Sequence, residues 1–266
     1  MLDRYNRTIN YLRVSVTDRC NLRCTYCMPE KGIQLMRHED ILSFDEITEV
    51  VRAAAALGIN KVRITGGEPL VRRDLPALVA MIAAINGIED LGMTTNGILL
   101  PRFASELKAA GLMRVNISLD TMDPERYAQI TRLGKLEDAL NGIDAALQAG
   151  LTPVKLNCVV TKGPDEPDAL AVKAFAEDKK IQIRFIPMMD LEEGIFSKVI
   201  GGSGGHCALC NRLRLTPTGM IKPCLFSDDE YSVRELGAEE ALLKAVENKP
   251  ACGSRSQKNA FYNIGG

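Results

Sequence analysis

Short runs of β-branched and apolar residues alternate with longer amphipathic segments between Tyr11 and Pro187. Such alternation is typical of repeated β–α units, whose strands lie side by side in a parallel sheet. The predicted strands are Leu12–Val16, Lys61–Thr65, Leu91–Thr95, Arg114–Ser118, Pro153–Val160 and Gln182–Ile186. The predicted helices are Phe44–Leu57, Asp74–Ile85, Pro101–Ala110, Leu136–Gln148 and Pro167–Asp178. The pattern predicts an α/β fold in the form of a partial (βα)6 barrel of the TIM type.

Several predicted helices carry sequence signals for their ends. Ser43 stands before the first helix as an N-cap, and Glu46 follows three residues later, which is the pattern of a capping box. Gly58, Gly111 and Gly150 each follow an apolar helical stretch, where a glycine commonly ends a helix. These signals support the helices independently of hydrophobic periodicity.

Polar side chains recur on one face of the predicted strands, because every second residue of a strand points the same way. They are Arg13 and Ser15, then Lys61, Arg63 and Thr65, then Asn116 and Ser118, then Lys155 and Asn157, and finally Arg184. A closed eight-stranded barrel is filled by branched apolar side chains, so a polar interior favours an open barrel around a large polar ligand. The cations favour a phosphate-bearing anion. The alternative is that these residues end strands in solvent or form internal ion pairs.

The overall charge argues against a nucleic-acid-binding protein. The chain of 266 residues has 33 Lys and Arg against 34 Asp and Glu, which leaves no general basic field. The segment Met1–Arg7 lacks the apolar stretch of an export signal, and no apolar run approaches the roughly 18 residues of a membrane span. Six of the eight cysteines lie in two tight groups with metal-like spacing, which favours a reducing compartment. We therefore expect a cytoplasmic protein with no membrane or nucleic-acid partner.

The first group of cysteines, Cys20, Cys24 and Cys27, has the spacing C-x3-C-x2-C. Thiolates hold iron–sulfur clusters or zinc, and both normally take four ligands. The nearest histidine is His38, so a [4Fe–4S] cluster here would keep one iron open to a small molecule. The alternative is a zinc knuckle that lacks a ligand, although structural zinc sites are closed by four.

At these residues the chain resembles the radical S-adenosylmethionine (SAM) enzymes, whose signature has an aromatic residue, here Tyr26, before the third cysteine. In that family the open iron binds the amino and carboxylate groups of SAM. An electron from the cluster then cleaves SAM to a 5′-deoxyadenosyl radical that takes hydrogen from the substrate. The Gly66-Gly67-Glu68-Pro69 segment after the second strand resembles the family element that binds the amino group of SAM.

The second group of cysteines, Cys207, Cys210 and Cys224, follows a glycine-rich run. Three more thiolates predict a second centre, either a [4Fe–4S] cluster or a zinc ion completed by His206 or Cys252. The run is a natural linker or an artificial junction. The predicted organisation is a radical SAM partial barrel at 1–190, a glycine-rich linker at 191–206 and a small C-terminal iron–sulfur lobe at 207–266 that ends in a Gly-Gly tail.

A narrower resemblance covers most of the chain. It rests on the segments RVSVTDRCNLRCTYCMP, RITGGEPLVRRDL, TTNG, NISLD, VKLNCVV, IRFIPMMD and CNRLRLTPTGMIKPCLF, and on the ending IGG. These segments resemble the radical SAM family that cyclises GTP in the first step of molybdenum cofactor biosynthesis. The resemblance implies removal of hydrogen from ribose C3′ and attack of that carbon on guanine C8. The cofactors it implies are two [4Fe–4S] clusters and SAM.

The resemblance also assigns residues and partners. Cys20, Cys24 and Cys27 would bind the SAM cluster, and Tyr26, Gly67, Glu68, Ser118 and Met189 would line the SAM site. Cys207, Cys210 and Cys224 would hold a second [4Fe–4S] cluster whose open iron binds guanine. The GTP-contacting positions would be Arg13, Arg63, Thr94, Lys155, Arg212 and Arg214, and the catalytic tail would be Gly265 and Gly266. The implied partners are GTP, a flavodoxin- or ferredoxin-type electron donor and a downstream cyclic pyranopterin monophosphate synthase, with the enzyme a monomer or homodimer.

This chain departs from the family pattern in three places. The family usually has a long insert where only Leu191–His206 lies here, and the tail Lys258–Asn263 lacks a common arginine. Cys252 is an additional cysteine. Most such residues are inert thiols, and the hypothesis beside this is that Cys252 closes the second cluster as a fourth ligand, which would prevent guanine from binding iron. Cys158 has apolar strand parity and is predicted to lie in the core.

The departures keep other functions open. A paralogous radical SAM enzyme with a second cluster could act on a peptide or another cofactor precursor. A non-catalytic iron–sulfur protein is disfavoured, because the Gly-Gly-Glu-Pro segment, Ser118 and the cationic interior would then have no purpose.

Overall fold

A nine-stranded sheet runs through residues 1–264, which are the residues described by the computed structural model. Its strands are β1 Tyr11–Ser15, β2 Lys61–Thr65, β3 Asp90–Thr95, β4 Arg114–Ser118, β5 Lys155–Val160, β6 Gln182–Pro187, β7 Arg212–Leu215, β8 Met220–Lys222 and β9 Tyr231–Ser232. Their order across the sheet is β6-β5-β4-β3-β2-β1-β7-β8-β9. The first six strands pair in parallel, so the prediction of an open α/β barrel is confirmed, and the sheet does not close.

The helices of the described chain are α1 Phe44–Ala56, α2 Leu75–Ala83, α3 Leu100–Ala109, α4 Pro124–Thr131, α5 Leu136–Gln148, α6 Pro167–Asp178, α7 Val233–Leu236, α8 Ala238–Glu247 and α9 Phe261–Ile264. The five predicted helices are present with ends within two residues of those expected. Helix α4 was missed because one helix was assigned to each crossover, although Asp123 caps α4 by accepting from Arg126 N and Pro124 begins it.

The helix-end signals act as predicted. The Ser43 side chain accepts a hydrogen bond from Glu46 N, and the Glu46 carboxylate accepts one from Ser43 N, so the capping box is closed. Gly58, Gly111 and Gly150 all have positive φ angles, which a glycine adopts without steric strain. These ends fix where each chain segment turns back towards the sheet.

Strand β7 joins the second group of cysteines to the barrel sheet. It pairs in parallel with β1, and β8 and β9 then continue the sheet in antiparallel fashion. Lys249 ties this end together from inside, since its buried ammonium donates to the carbonyls of Arg212 and Pro223. The division of the chain into two units stays a prediction, because the sheet is continuous across it.

The hydrophobic core lies between the sheet and its helices. Apolar residues of alternate parity on the strands, such as Leu12, Val14 and Ile64, are fully buried against the helices, and the opposite parity is mostly polar. Cys158 is also fully buried in this core, as predicted. No helix within residues 1–264 has the length and apolar character needed to cross a membrane.

Helix α5 packs on the loop after β3 through Gly142. A Cβ atom on Gly142 would lie 2.0 Å from the Gly97 carbonyl oxygen, which belongs to backbone and cannot swing aside. This contact sets the distance between the helix layer and the end of β3.

We expect Gly142→Ala to lower the free energy of unfolding by on the order of 2 kcal/mol, because overpacking outweighs the roughly 1 kcal/mol that alanine gains in a helix. The matched control is Asn141→Ala, which is exposed on the same helix and removes no packing. Thermal melting of the cluster-free protein followed by circular dichroism measures both. An unchanged or raised melting temperature for Gly142→Ala would contradict the packing argument.

Candidate active site

A single cavity of about 560 Å³ collects the chemically distinctive residues of the described chain. Its walls are the polar face of the sheet, the loops after β1, β2 and β3, and the segment that links β6 to β7. The cavity therefore lies where side chains of one strand parity meet the loops at the carboxyl ends of the strands, as in barrel enzymes.

All predicted site residues within 1–264 line this cavity. They are Arg13, Cys20, Cys24, Tyr26, Cys27, Arg63, Gly67, Glu68, Thr94, Ser118, Lys155, Met189, Cys207, Cys210, Arg212, Arg214 and Cys224. Gly265 and Gly266 lie outside the described residues. Of the residues placed in the interior by strand parity, Ser15 is the exception, since it is buried without lining the cavity.

The first three cysteines occupy a loop that presses against the Gly-Gly segment. A Cβ atom on Gly67 would lie 2.4 Å from the Arg19 carbonyl oxygen, so only glycine allows this approach. Burial raises the pKa values of Cys24 and Cys27 to about 12, which keeps both thiols protonated until a metal replaces the proton.

The cysteine loop has the donor chemistry of a soft-metal site. Three thiols line one wall of the cavity, where an iron–sulfur cluster would find its ligands. Within residues 1–264 no three potential ligand side chains converge as a site for a single metal ion.

Glu68 is a buried carboxylate at the edge of this wall. It accepts hydrogen bonds from Leu70 N, Thr95 Oγ1 and Asn96 N at 3.1, 2.8 and 2.7 Å. Burial raises the pKa of Glu68 to about 7, although these donors favour its charged form. The carboxylate is therefore held in place by three donors and is poised to receive a cation.

Asp120 fixes Tyr26, and the sequence did not assign this role. The Tyr26 hydroxyl donates to Asp120 Oδ2 at 2.7 Å, and Val159 N donates to Asp120 Oδ1 at 2.8 Å. Burial raises the pKa values of both Asp120 and Tyr26. The only sequence signal was the position of Asp120 just beyond the carboxyl end of β4.

Three arginines stand at the same register on neighbouring strands. Arg13 on β1 is paired with Arg63 on β2 and with Arg214 on β7. Burial, followed by repulsion from the neighbouring cations, lowers the pKa of Arg13 to about 10 and that of Arg214 to about 9. We call Arg63, Arg13 and Arg214 the arginine row.

Tyr11 lies beside the arginine row and was missed because the predicted first strand began at Leu12. Its hydroxyl accepts a hydrogen bond from Arg63 Nε at 2.8 Å. Burial alone would raise the pKa of Tyr11, but Arg63, Arg13 and Arg212 outweigh it and lower the pKa to about 8. The signal was available in its parity, which it shares with Arg13.

Further cations continue across the cavity wall. Lys155 on β5 and Arg184 on β6 both have lowered pKa values, first because of burial and then because of neighbouring cations. Among the described lining residues the carboxylates are Glu68 and Asp90, and Asp90 pairs with Arg114. The electrostatics on this side of the cavity thus favour a polyanion.

The second three cysteines lie near the arginine row. Cys207 and Cys210 flank a short helical turn just before β7, and Cys224 follows β8. The remaining wall is the link between β6 and β7, where Phe196 and Val199 line the cavity. Gly205 of this link has a φ of +70° and lies against the Ser197 carbonyl, so glycine is required there.

The sequence of the chain matches a known protein family. The model of the family described as the radical SAM superfamily matches residues 14–176. A protein of Heliobacterium modesticaldum named GTP 3′,8-cyclase is 43% identical over 305 residues, covering 94% of this chain and 93% of that protein. A protein of Thermodesulfovibrio yellowstonii with the same name is 40% identical over 322 residues, covering all of both chains.

This chain is shorter than the T. yellowstonii protein. Its 322 positions cover all 266 residues here, so about 56 positions of that relative have no counterpart in this chain.

Solved structures share the fold at low sequence identity. Streptococcus suis SuiB bound to S-adenosylmethionine has a TM-score of 0.68 at 15% identity, over 93% of this chain and 66% of that chain. Native anSMEcpe with bound AdoMet has a TM-score of 0.63 at 16% identity, over 91% of this chain and 81% of that chain. These likenesses support the fold alone.

We expect the stability of the cluster-free protein to fall as pH rises from about 4.5 to about 7, partly because of Glu68. Over that interval the folded protein keeps a proton on Glu68 that the unfolded chain releases, and the contribution is on the order of 3 kcal/mol. Glu68→Gln removes this titration, so its stability should depend less on pH.

Urea unfolding of the wild type and Glu68→Gln between about pH 5 and pH 8 measures the two slopes. The amide loses one acceptor towards Asn96 at every pH, so the comparison concerns the slope and not the level of stability. Equal slopes in the two proteins would contradict a raised pKa at Glu68.

Proposed function

This chain belongs to the radical SAM superfamily and, within it, to the family of the GTP 3′,8-cyclases, and we propose that it performs that reaction. It cyclises GTP to (8S)-3′,8-cyclo-7,8-dihydroguanosine 5′-triphosphate, the first step of molybdenum cofactor biosynthesis. The observation that carries this proposal is the arginine row inside a cavity that also holds both groups of cysteines.

The superfamily uses one [4Fe–4S] cluster and SAM. Cys20, Cys24 and Cys27 would hold that cluster, which supplies the electron that cleaves SAM. The carboxylate of Glu68 would accept hydrogen bonds from the SAM ammonium group. Tyr26, held by Asp120, would form part of the same site together with Gly67, Ser118 and Met189.

The arginine row would bind the triphosphate of GTP. Guanidinium groups form paired, charge-assisted hydrogen bonds with phosphate oxygens, and aligned strands present three of them without further ordering. Lys155 and Arg212 add charge beside the row, and Thr94 adds a hydroxyl. An anion at this place would offset the burial and the repulsion between cations that lower the pKa values of Arg13 and Arg214.

The second group of cysteines would hold a second [4Fe–4S] cluster. Cys207, Cys210 and Cys224 line the same cavity as the arginine row, so guanine could reach an open iron while the triphosphate stays on the arginines. Two fixed ends orient the nucleoside between them. This positioning would bring ribose C3′ and guanine C8 towards the SAM side of the cavity, and positioning would be the main contribution of the protein to such chemistry.

The tail glycines, an electron donor and an enzyme that takes the product would complete the reaction. Gly265 and Gly266 would complete the active site, since residues without side chains fit a narrow channel. A flavodoxin- or ferredoxin-type protein would supply the electrons, and a cyclic pyranopterin monophosphate synthase would take the product. The chain would act in the cytoplasm as a monomer or homodimer.

The direct test is an anaerobic incubation of the reconstituted protein with SAM, dithionite and GTP, followed by mass spectrometry. We expect 5′-deoxyadenosine and the cyclised nucleotide in equal amounts, and neither product with Cys20→Ala. Cys210→Ala should retain the first cluster and still cleave SAM slowly, but it should form no cyclised nucleotide. Formation of 5′-deoxyadenosine at a rate indifferent to GTP would contradict the cyclase function and favour another substrate.

We expect Lys155→Met to weaken GTP binding by about 10- to 100-fold, because a charge-assisted contact with phosphate contributes about 1.5–3 kcal/mol. Lys155→Arg keeps the charge and should retain most of the affinity. The matched control is Lys162→Met, which removes an exposed lysine from outside the cavity.

Isothermal titration of the SAM-bound protein with GTP, guanosine and inorganic triphosphate measures these affinities. The loss should appear with GTP and triphosphate and be absent with guanosine. A loss of guanosine affinity of similar size would contradict a phosphate contact at Lys155.

A further inference from the structure

Cys252 lies against Cys207 on the outer side of the second cysteine group. The two Sγ atoms are 2.7 Å apart, and both cysteines are free thiols. Cys252 is exposed and does not line the cavity, although its neighbour Gly253 does. Cys207 therefore has the cavity on one side and a second thiol on the other.

The contact is fixed by a buried arginine from the start of the chain. Arg7 donates to the carbonyl oxygens of Cys207 at 2.9 Å, of Ala251 at 3.0 Å and of Pro250 at 2.7 Å. Asp3 holds the guanidinium in turn through a 2.6 Å ion pair in which both side chains are almost fully buried. One rigid anchor thus positions the backbone on both sides of the thiol pair.

This placement disfavours Cys252 as a fourth cluster ligand. A fourth ligand must reach the iron that the other three cysteines leave open, and that iron would face the cavity where the substrate enters. Cys252 instead approaches the sulfur of Cys207 from solvent. The thiols of Cys207 and Cys252 are therefore close enough to react with each other.

We propose that Cys252 is a resolving thiol that forms a reversible disulfide with Cys207 when the second cluster is absent. The step uses a peroxide as oxidant. Peroxide oxidises the Cys207 thiol to a sulfenic acid with loss of water, and the Cys252 thiol then attacks that sulfur, forming the S–S bond and releasing a second water. A dithiol reductant of the thioredoxin class returns two electrons and two protons and regenerates both thiols.

The disulfide would have two consequences for the proposed second cluster, and only these rest on the proposed function. It removes Cys207 from the ligand set, so the cluster cannot be rebuilt until the thiols are reduced. It also protects Cys207 from irreversible oxidation to the sulfinic and sulfonic acids. The chain thereby couples loading of the second cluster to the redox state of its surroundings.

The test uses the full-length, cluster-free protein treated anaerobically with one equivalent of hydrogen peroxide. We expect a mass loss of about 2 Da in the intact protein, reversed by a dithiol, and a peptide in which Cys207 is linked to Cys252. Cys252→Ser should lack this peptide and accumulate oxygen on Cys207. Cys158→Ser, which removes a core thiol, should behave as the wild type.

Two outcomes would overturn the proposal. A disulfide between Cys207 and Cys210 as the main product would mean that Cys252 is not the resolving thiol. A loss of iron or a changed cluster spectrum in reconstituted Cys252→Ser would make Cys252 a ligand. The mass measurement needs neither iron nor GTP, so a failure of the cyclase function leaves it intact.

Discussion

The parallel pairing of β1 with both β2 and β7 is the constraint on which the site depends. It brings Arg63 and Arg214, which are 151 residues apart in the chain, to the same register as Arg13. Like charges directly opposite one another on strands destabilise a sheet, and burial adds to the effect. The fold tolerates this row because Leu12 and Val14 on the other face of β1 are fully buried. The apolar face thus stabilises a row of like charges on the polar face.

The same pairing determines where the two groups of cysteines lie. The first group follows β1, and Cys210 comes just before β7, so neighbouring strands carry the two thiol groups to one cavity. Lys249 then fixes the β7 end by donating to two carbonyl oxygens from within the protein. The distance between the two groups of cysteines is therefore a property of the sheet and its internal anchors, and the loops carry the thiols.

Local sequence patterns predicted much of this arrangement. The parts that they did not predict depend on long-range contacts. Strands β2 and β4 begin and end where hydrophobic alternation predicted, and strand parity placed Lys155 and Arg184 in the interior. Parity works because it depends only on neighbouring residues. The register of β7 on β1 could not be predicted, since it depends on which distant strands meet. Tyr11 was not predicted as a site residue, because the predicted first strand began one residue too late. Lys249 has no local sequence signal that would predict its role.

The short link between β6 and β7 has a glycine-rich sequence that is compatible with either a flexible linker or close backbone packing. Its glycines suggested a flexible linker, yet Gly205 lies at a positive φ against the Ser197 carbonyl, and Ile200 pairs with Phe185 of β6. Glycine here permits close backbone packing, and Phe196 and Val199 form part of the cavity wall as a result. The link therefore covers part of the site with few residues.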